Sequence, residues 1–358
     1  MQSACLESVM INTRAMTSKP SLKDAILRTL CYADIFDFPL TSEEIHRFLI
    51  CDQNQNISKV AECLPAEMVG TPRTVEKAMR GAEQMSSING YYFLKGRRRT
   101  VLLRRKREKH ARKKAAIAKG VGKWLMRIPT IKMVALTGAL AMQNSEENDD
   151  IDLMIITSRN RLWLTRLFVV PLVSLVAERR KPLQKYDSVA MSARRIPTSR
   201  RENGGKQWNN AICLNLFLNE TALSLHPSQR NLYTAHEVAQ VKPIWTRDRT
   251  HERFLTQNTW ILEHLPNALP KSTQQQPNRR RKNTKGIRQE VENRPARPGD
   301  ILETVAYRLQ KRYMRAKKTR EIVRPNAAFF HPRDTAKLVL EKYQRRLKRY
   351  GCMPETAT

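Results

Sequence analysis

One stretch near the middle of the chain constrains the fold more than any other, because it joins two apolar segments through a glycine turn. The apolar segment 132–136 leads directly into Thr137-Gly138, and a polar loop then leads into the apolar segment 151–156. Short apolar runs bounded by turn residues are typical of buried strands. The pattern therefore predicts a strand, a glycine turn with a short helix, and a second strand.

The second of these segments carries two acidic residues, Asp150 and Asp152, at its start. Side chains alternate between the two faces of a strand, so residues two apart share a side and are separated by about 6 to 7 Å of rise. Two carboxylates placed in this way can hold one or two hard divalent cations. The alternative is an ordinary loop end in which Asp149 helps to cap the turn. A lone carboxylate inside an apolar strand is costly without a partner, which argues against that alternative for Asp152.

This stretch resembles the signature of the nucleotidyltransferases related to DNA polymerase beta. In that signature a hydrophobic strand, a Gly-Ser or Gly-Gly turn and a helix precede an acid-x-acid pair in a second strand. The resemblance implies that Asp150 and Asp152 are catalytic and hold Mg²⁺ or Mn²⁺, and that Gly138 and Ala139 form a nucleotide-binding turn. The implied reaction transfers a nucleoside monophosphate from a nucleoside triphosphate to an unidentified hydroxyl acceptor, with release of pyrophosphate.

Two positions depart from the signature. Ala139 stands where the family usually has Ser or Gly, which removes a hydroxyl but keeps the backbone amide. On the predicted strand 212–218, Asn215 stands where many members have a third carboxylate. Because an amide supplies no negative charge, an alternative stays open: a catalytically degenerate nucleotidyltransferase fold that acts as a nucleic-acid-binding regulator.

Other polar residues near these segments give weaker signals. Arg159, Arg161 and Arg166 follow the acidic strand closely enough to reach a triphosphate, although extension from an apolar helix into solvent explains them equally well. The pair His236-Glu237 lacks the second histidine of a zinc-protease helix, so we interpret it as ordinary helix polarity.

The N-terminal part of the chain combines three predicted helices with a predicted hairpin. Ser21 and Thr41 each stand at a helix start, with an acidic residue three positions later. A third helix is predicted to start at Thr71-Pro72, and Asn89-Gly90 predicts a hairpin turn. This order resembles a winged helix-turn-helix domain over residues 21–96. A protein-interaction module with the same topology is the alternative.

The third predicted helix has two chemically different faces. Arg73, Lys77 and Arg80 share one face, and Val75 lies on the opposite one. In a winged helix this element is the recognition helix, so the resemblance implies that the three cations bind nucleic acid. Three further segments are similar to those of uncharacterised bacterial proteins that join such a domain to a nucleotidyltransferase domain, namely 163–166, 212–218 and 231–237.

The chain has 66 Lys and Arg against 33 Asp and Glu, which gives a formal net charge of +33. The excess is concentrated in two segments, with twelve Lys and Arg and one acid over 97–119, and nine with two acids over 271–297. Such segments are typical of surfaces that bind polyanions. They favour nucleic acid as a partner besides the nucleoside triphosphate. The alternative is a solvated face or tail.

We predict an α+β protein in six parts. They are a disordered N-terminus (1–20), a winged helix-turn-helix-like domain (21–96), a basic connecting helix (97–129), a nucleotidyltransferase domain with associated helices (130–268), a basic flexible linker (269–300) and a basic helical tail (301–358). The apolar run 167–177 is too short for a hydrocarbon core of about 30 Å, so we expect a buried helix kinked at Pro171 and no membrane association. Six widely spaced cysteines predict reduced thiols and a cytoplasmic location.

Overall fold

The computed structural model describes residues 21–51, 72–177, 210–270, 298–315, 322–330 and 335–352. Within these ranges the α-helices are α1 (Leu22–Ala33), α2 (Ser42–Arg47), α3 (Pro72–Met79), α4 (Arg99–Leu125), α5 (Gly138–Ala141), α6 (Leu162–Val176), α7 (Leu232–Gln240), α8 (Thr250–Thr256), α9 (Pro298–Arg315) and α10 (Thr335–Arg349). The strands are β1 (Met85–Ile88), β2 (Tyr91–Leu94), β3 (Ile131–Leu136), β4 (Ile151–Thr157), β5 (Ile212–Asn219), β6 (Lys242–Thr246), β7 (Ile322–Arg324) and β8 (Ala327–Phe329). The predicted disordered N-terminus and most of the predicted linker lie outside the described residues.

Six of the strands form one mixed sheet in the order β6-β3-β4-β5-β8-β7. β4 and β5 run parallel, and the other neighbouring strands are antiparallel. The two apolar segments around the glycine turn are β3 and β4, which pair with Leu136 opposite Leu153. The prediction of an α+β protein with a mixed sheet and flanking helices is therefore confirmed.

The two faces of this sheet belong to separate cores, because alternate residues of a strand point to opposite sides. On β4, Met154 and Ile156 join a core that also contains buried residues of α1, α7 and α10. Leu153 and Ile155 join a second core, with residues of α4, α6 and α9. By the same alternation, Asp152 points to the side of α1, α7 and α10.

The predicted elements of the N-terminal part are present. Ser21 caps α1 and Thr41 caps α2, and both caps are completed by the acidic residue three positions later. β1 and β2 form a hairpin around Asn89 and Gly90, whose backbone φ angles are 52° and 77°. Two successive positive φ angles are typical of a type I′ turn, which explains the Asn-Gly pair. The predicted cap at Thr71 lies outside the described residues.

Helix α3 has the two faces that the sequence predicts. Val75 is buried in the core, whereas Arg73, Lys77 and Arg80 are all exposed. The structure therefore places Arg73 and Lys77 on one solvent-facing side of α3 and the exposed Arg80 directly after its last residue. Their binding to nucleic acid stays a prediction.

The predicted basic helix is α4, and it is packed into the fold along its inner face. Arg104, Arg107 and Lys114 are buried there. Arg104 forms ion pairs with Glu44 of α2 at 2.6 Å and with Glu108 at 2.9 Å. Because these cations have internal acceptors, the prediction of a polyanion-binding segment at 97–119 is wrong for the inner face of the helix.

The C-terminal tail differs from the prediction of a purely helical unit. The tail contains two helices, α9 and α10, but β7 and β8 form a hairpin between them that joins the sheet beside β5. Pro325 lies in the turn of this hairpin. Its carbonyl oxygen accepts a hydrogen bond from Trp163 Nε1 at 3.1 Å. The tail is thus part of the main fold.

Helix α6 contains residues 167–176 of the apolar run, including Pro171, and Ala177 directly follows the helix. The prediction that this helix is buried is wrong for one side, where Phe168 is 64% and Leu175 84% exposed. In the part of the chain that the structure describes, no helix has the length and apolar content needed to cross a membrane. The four described cysteines are free thiols, and Cys5 and Cys63 lie outside the described residues.

Candidate functional site

The two predicted acids lie together at the start of β4. Asp150 directly precedes the strand and Asp152 is its second residue. Ligand atoms of Asp150, Asp152 and Cys213 all lie within 4.8 Å of one another, and all three residues are half-buried. The structure therefore gathers two carboxylates and one thiol on a single side of the sheet, within reach of solvent.

The glycine turn lies beside this cluster. Gly138 has a φ of +62°, and a Cβ atom at this position would lie 3.1 Å from Asp152 Oδ2. The backbone amide of Thr137 donates to the carbonyl oxygen of Asp152 at 3.2 Å. Glycine is therefore required here for two reasons: the left-handed backbone and the close approach of the carboxylate. Ala139, the next residue of α5, is exposed at the same turn.

A β-bulge in β5 brings Asn215 to the acids. Asp152 lies opposite Cys213 in the parallel pair, and the register shifts so that Leu214 and Leu216 face consecutive residues of β4 while Asn215 has no ladder partner. Bulges re-aim side chains in this way. Asn215 Nδ2 donates to Asp152 Oδ1, and Asn215 Oδ1 accepts from Cys213 Sγ at 2.8 Å. Asn215 thus orients both neighbours through one amide group.

A buried lysine supports the loop that carries the acids. Lys114 Nζ donates to the carbonyl oxygens of Asp149 at 2.5 Å and Glu147 at 2.9 Å. Burial lowers the pKa of Lys114. Burial also raises the pKa of the Asp149 carboxyl to about 6, although the backbone amide of Glu146 donates to it at 2.7 Å. Lys114, on α4, and Asp149, within the loop, therefore both stabilise the conformation of the loop.

The same loop is joined to the N-terminal part of the chain. Arg107 donates to the carbonyl oxygen of Phe36 at 3.0 Å, to Asn144 Oδ1 at 3.1 Å and to Glu146 Oε1 at 2.5 Å. Asn144 Nδ2 also donates to the Phe36 carbonyl oxygen, at 3.1 Å. Because Arg107 is buried, these contacts fix the loop against the 3₁₀ turn that follows α1.

Helix α7 borders the acids on the same side of the sheet. Burial raises the pKa of Tyr233 well above its ordinary value, and the negative charges of Glu237 and Asp152 raise it further. Burial alone raises the pKa of Glu237 to about 7. His236 points away into the core, where its ring stacks on Tyr32 with centroids 3.9 Å apart and burial lowers its pKa to about 4. This contact agrees with a structural role for His236.

The arginines that follow β4 lie at its other end. Arg161 donates to Asp300 Oδ1 at 2.9 Å and Arg166 to Gln310 Oε1 at 2.6 Å, both on α9. Thr157, the last residue of β4, lies five positions after Asp152, which is about 17 Å at the usual rise. Of the two interpretations left open for these arginines, contact with a triphosphate at the acids is the less favoured, because chain order places them after the carboxyl end of the strand and Arg161 and Arg166 contact α9.

The donor set at the acids fits a hard divalent cation through its carboxylates. Asp150 and Asp152 supply the oxygen ligands that Mg²⁺ and Mn²⁺ prefer. The sulfur of Cys213 is softer, and in the structure its thiol is directed to Asn215. We therefore assign the capacity to hold a cation to the two aspartates.

Sequence reasoning missed Cys213, Lys114 and Glu237 as parts of this region. The alternation of β5 could have identified Cys213, because it lies two residues before Asn215 and residues two apart share a side. For Lys114 and Glu237 the signal exists only in the tertiary packing.

Comparison of the chain with family models, with curated proteins and with solved structures finds no match. The fold and the site alone define the class: an α+β protein with a solvent-reachable acidic cluster beside a glycine turn.

Proposed function

We propose that the protein is a metal-dependent nucleotidyltransferase that moves a nucleoside monophosphate from a nucleoside triphosphate to a hydroxyl acceptor. In this proposal residues 130–268 form the nucleotidyltransferase unit, and the N-terminal helices and hairpin form a winged helix. The observation that carries the proposal is the meeting of Asp150, Asp152 and Gly138 at one edge of the β3–β4 pair. This is the arrangement that the resemblance to the nucleotidyltransferases requires. Asp150 and Asp152 follow Gly138 by twelve and fourteen positions in the sequence.

In the proposed reaction the residues of this chain chiefly position charge. Asp150 and Asp152 would hold Mg²⁺ or Mn²⁺, and a bound cation supplies neutralisation of the charge on the triphosphate and the attacking hydroxyl. Asn215 holds one oxygen of Asp152 in place. The turn at Gly138 and Ala139 offers backbone amides near the acids, and the absence of large side chains leaves room there for phosphate groups.

A second candidate is a nucleic-acid-binding regulator whose nucleotidyltransferase fold has lost catalysis. It is favoured by one observation: the bulge in β5 presents the neutral amide of Asn215 to Asp152, where a third carboxylate would supply charge. The exposed cations Arg73 and Lys77 of α3, with Arg80 directly after the helix, would then carry the activity.

A transfer assay separates the two candidates. Purified full-length protein is incubated with labelled ATP, GTP, CTP or UTP, with Mg²⁺ or Mn²⁺, and with pooled RNA, DNA and protein acceptors. The enzyme proposal expects incorporation of label that is lost in Asp152→Asn. Salt-sensitive DNA binding that survives Asp152→Asn, without incorporation in any condition, favours the regulator and contradicts the enzyme.

A further inference from the structure

Helix α4 presents a continuous row of cations to solvent on the side opposite its buried lysine and arginines. We define this outer cationic face by six exposed residues: Arg105, Lys109, Arg112, Lys113, Lys119 and Lys123. At 100° per residue they fall within a sector of about 120°, and the row from Arg105 to Lys123 is about 27 Å long. Between its ends, the other exposed residues in this sector are Ala116 and Gly120.

The charge of this face is not compensated from within the helix. Glu108 is the one acidic residue of α4. It points inward, where it accepts from Arg104 Nε at 2.9 Å and Tyr91 Oη at 3.4 Å. Among the residues that the structure describes, none of the six cations forms an ion pair. Unpaired cations at one-turn spacing produce a strong local positive potential.

The buried side of α4 holds this row in a fixed position. Arg104 forms hydrogen bonds with Glu44 of α2, and Arg107 donates to the Phe36 carbonyl oxygen. Lys114 donates to the Asp149 carbonyl oxygen in the loop 142–150 between α5 and β4, which we call the acid loop. The three contacts are spread over eleven residues of the helix, 104–114. The outer cations are therefore displayed on a rigid rod, so binding a polyanion does not require the backbone to become ordered.

We infer that the outer cationic face of α4 binds the phosphate backbone of a nucleic acid. The chemistry favours a nucleic acid over an anionic bilayer, because a helix that lies in a bilayer interface needs large apolar side chains in the contacting sector. Between Arg105 and Lys123, Ala116 and Gly120 do not supply them. The exposed apolar side chain of Leu102 lies before the row begins, and those of Ile117 and Trp124 lie beside the sector.

The location of Lys114 connects this surface to the candidate site. Lys113 belongs to the outer face, and the next residue, Lys114, donates to the carbonyl oxygen of Asp149 beside Asp150. A nucleic acid on the outer face would therefore pass within roughly one helix diameter, about 10 Å, of the acid loop. A nucleic acid would then be the acceptor of the proposed nucleotide transfer. This statement about the acceptor rests on the proposed function, whereas the binding of nucleic acid to the outer face does not.

The test measures binding of fluorescent duplex DNA and of fluorescent single-stranded RNA to the full-length protein, without nucleotide or divalent metal, between about 50 and 200 mM salt. The variant K109Q/R112Q/K113Q removes three cations of the outer face. The control R345Q/K348Q/R349Q removes three exposed cations of α10 and has the same net charge. Thermal melting verifies that both variants are folded.

We expect the outer-face variant to bind at least about tenfold more weakly, with a slope of log K against log salt about 2 to 3 smaller in magnitude. The α10 control keeps the wild-type slope. Equal slopes for the two triple variants would overturn the inference. Wild-type protein that binds vesicles of anionic lipid but neither nucleic acid would also overturn it. Because no transfer reaction is involved, failure of the proposed enzyme activity leaves this test unaffected.

Discussion

Two groups of carboxylates in this molecule have opposite surroundings. Beside α1, Asp34 accepts from Arg97 at 2.6 Å and from Arg346 at 2.7 Å, so arginines from two distant segments converge on one acid. At the start of β4, Asp152 accepts from the neutral amide of Asn215 and faces a glycine turn. Asp34 is thus contacted by two arginines. Asp152, in contrast, lies close to a second carboxylate, that of Asp150, and to the thiol of Cys213.

The comparison distinguishes carboxylates that stabilise the fold through ion pairs from carboxylates that are available to bind a ligand. Ion pairs such as that of Arg346 with Asp34 join α10 to α1, and the pair of Arg104 with Glu44 joins α4 to α2. Two carboxylates that share one site repel each other, and a bound divalent cation would relieve that repulsion. We therefore expect a cation to bind at Asp150 and Asp152 and none to bind at Asp34. The following substitutions test that contrast.

The largest effect is expected at Asp152. In Asp152→Asn the rate of nucleotide transfer should fall at least about 10³-fold, which corresponds to about 4 kcal/mol of transition-state stabilisation. Incorporation of labelled nucleotide measures it. Asp248→Asn is the matched control, because Asp248 is an exposed acid paired with Lys132 far from the cluster, and this variant should keep the wild-type rate. Equal rates in both variants would remove Asp152 from the active site.

Arg104 should have the largest effect on stability. Arg104→Met leaves Glu44 and Glu108 without their buried partner, so the free energy of unfolding should fall by about 3 to 5 kcal/mol. Urea denaturation measures the change. The neighbouring Arg105→Met alters an exposed residue of the same helix and should stay within about 0.5 kcal/mol of wild type. If the two variants lose the same stability, the distinction between the inner and outer faces of α4 is wrong.

A pH-dependent effect of intermediate size is expected at Glu237. Burial raises its folded-state pKa from the ordinary 4.5 to about 7. The favourable contribution of the neutral carboxyl is therefore complete below about pH 4.5 and is lost as the pH rises through about 7. Glu237→Gln stays neutral, so it should be more stable than wild type by on the order of 2 kcal/mol at about pH 8, and equally stable near pH 4.

Thermal melting across this pH range measures the difference. A variant that is less stable than wild type at about pH 8 would mean that the ionised Glu237 carboxylate has a stabilising partner, contrary to burial as the cause of its raised pKa.

The smallest effect is expected at Gly138. Gly138→Ala places a side chain on a residue with positive φ, which costs about 1 to 2 kcal/mol, and pushes a Cβ atom against Asp152 Oδ2. Gly81→Ala is the matched control, because Gly81 has a φ of +71° and open space around it. Both variants should lose similar stability, but only Gly138→Ala should lower the transfer rate, by about tenfold. Equal rates would mean that the position of Asp152 beside the turn is irrelevant.

Local patterns predicted the elements that depend on local interactions. The Gly138 turn and the Asp150-x-Asp152 pair lie within one stretch of chain, so alternation was sufficient to place them on one side. Cys213 could not be placed with the same certainty, because its contact with the acids depends on the register of β4 against β5 and on the bulge at Asn215. That register follows from pairing between segments far apart in sequence.

Two other features were beyond the reach of the sequence for physical reasons. Arg104 and Arg105 are chemically identical neighbours, and only packing against Glu44 makes one internal and the other exposed. The strands β7 and β8 have three residues each, which is too short for alternation to be recognised. β8 pairs with β5 and β7 pairs with β8, so the hairpin depends on β5, a contact that the tail alone does not encode.

The most direct test of the account is calorimetric titration of the full-length protein with a non-hydrolysable nucleoside triphosphate analogue in the presence of Mn²⁺. We predict binding at one site that requires the metal and is abolished in the double variant D150N/D152N, while the melting temperature of the double variant stays at or above that of wild type. Binding that is unchanged in D150N/D152N, or that persists when the metal is chelated, would contradict the assignment of this cluster as a metal and triphosphate site.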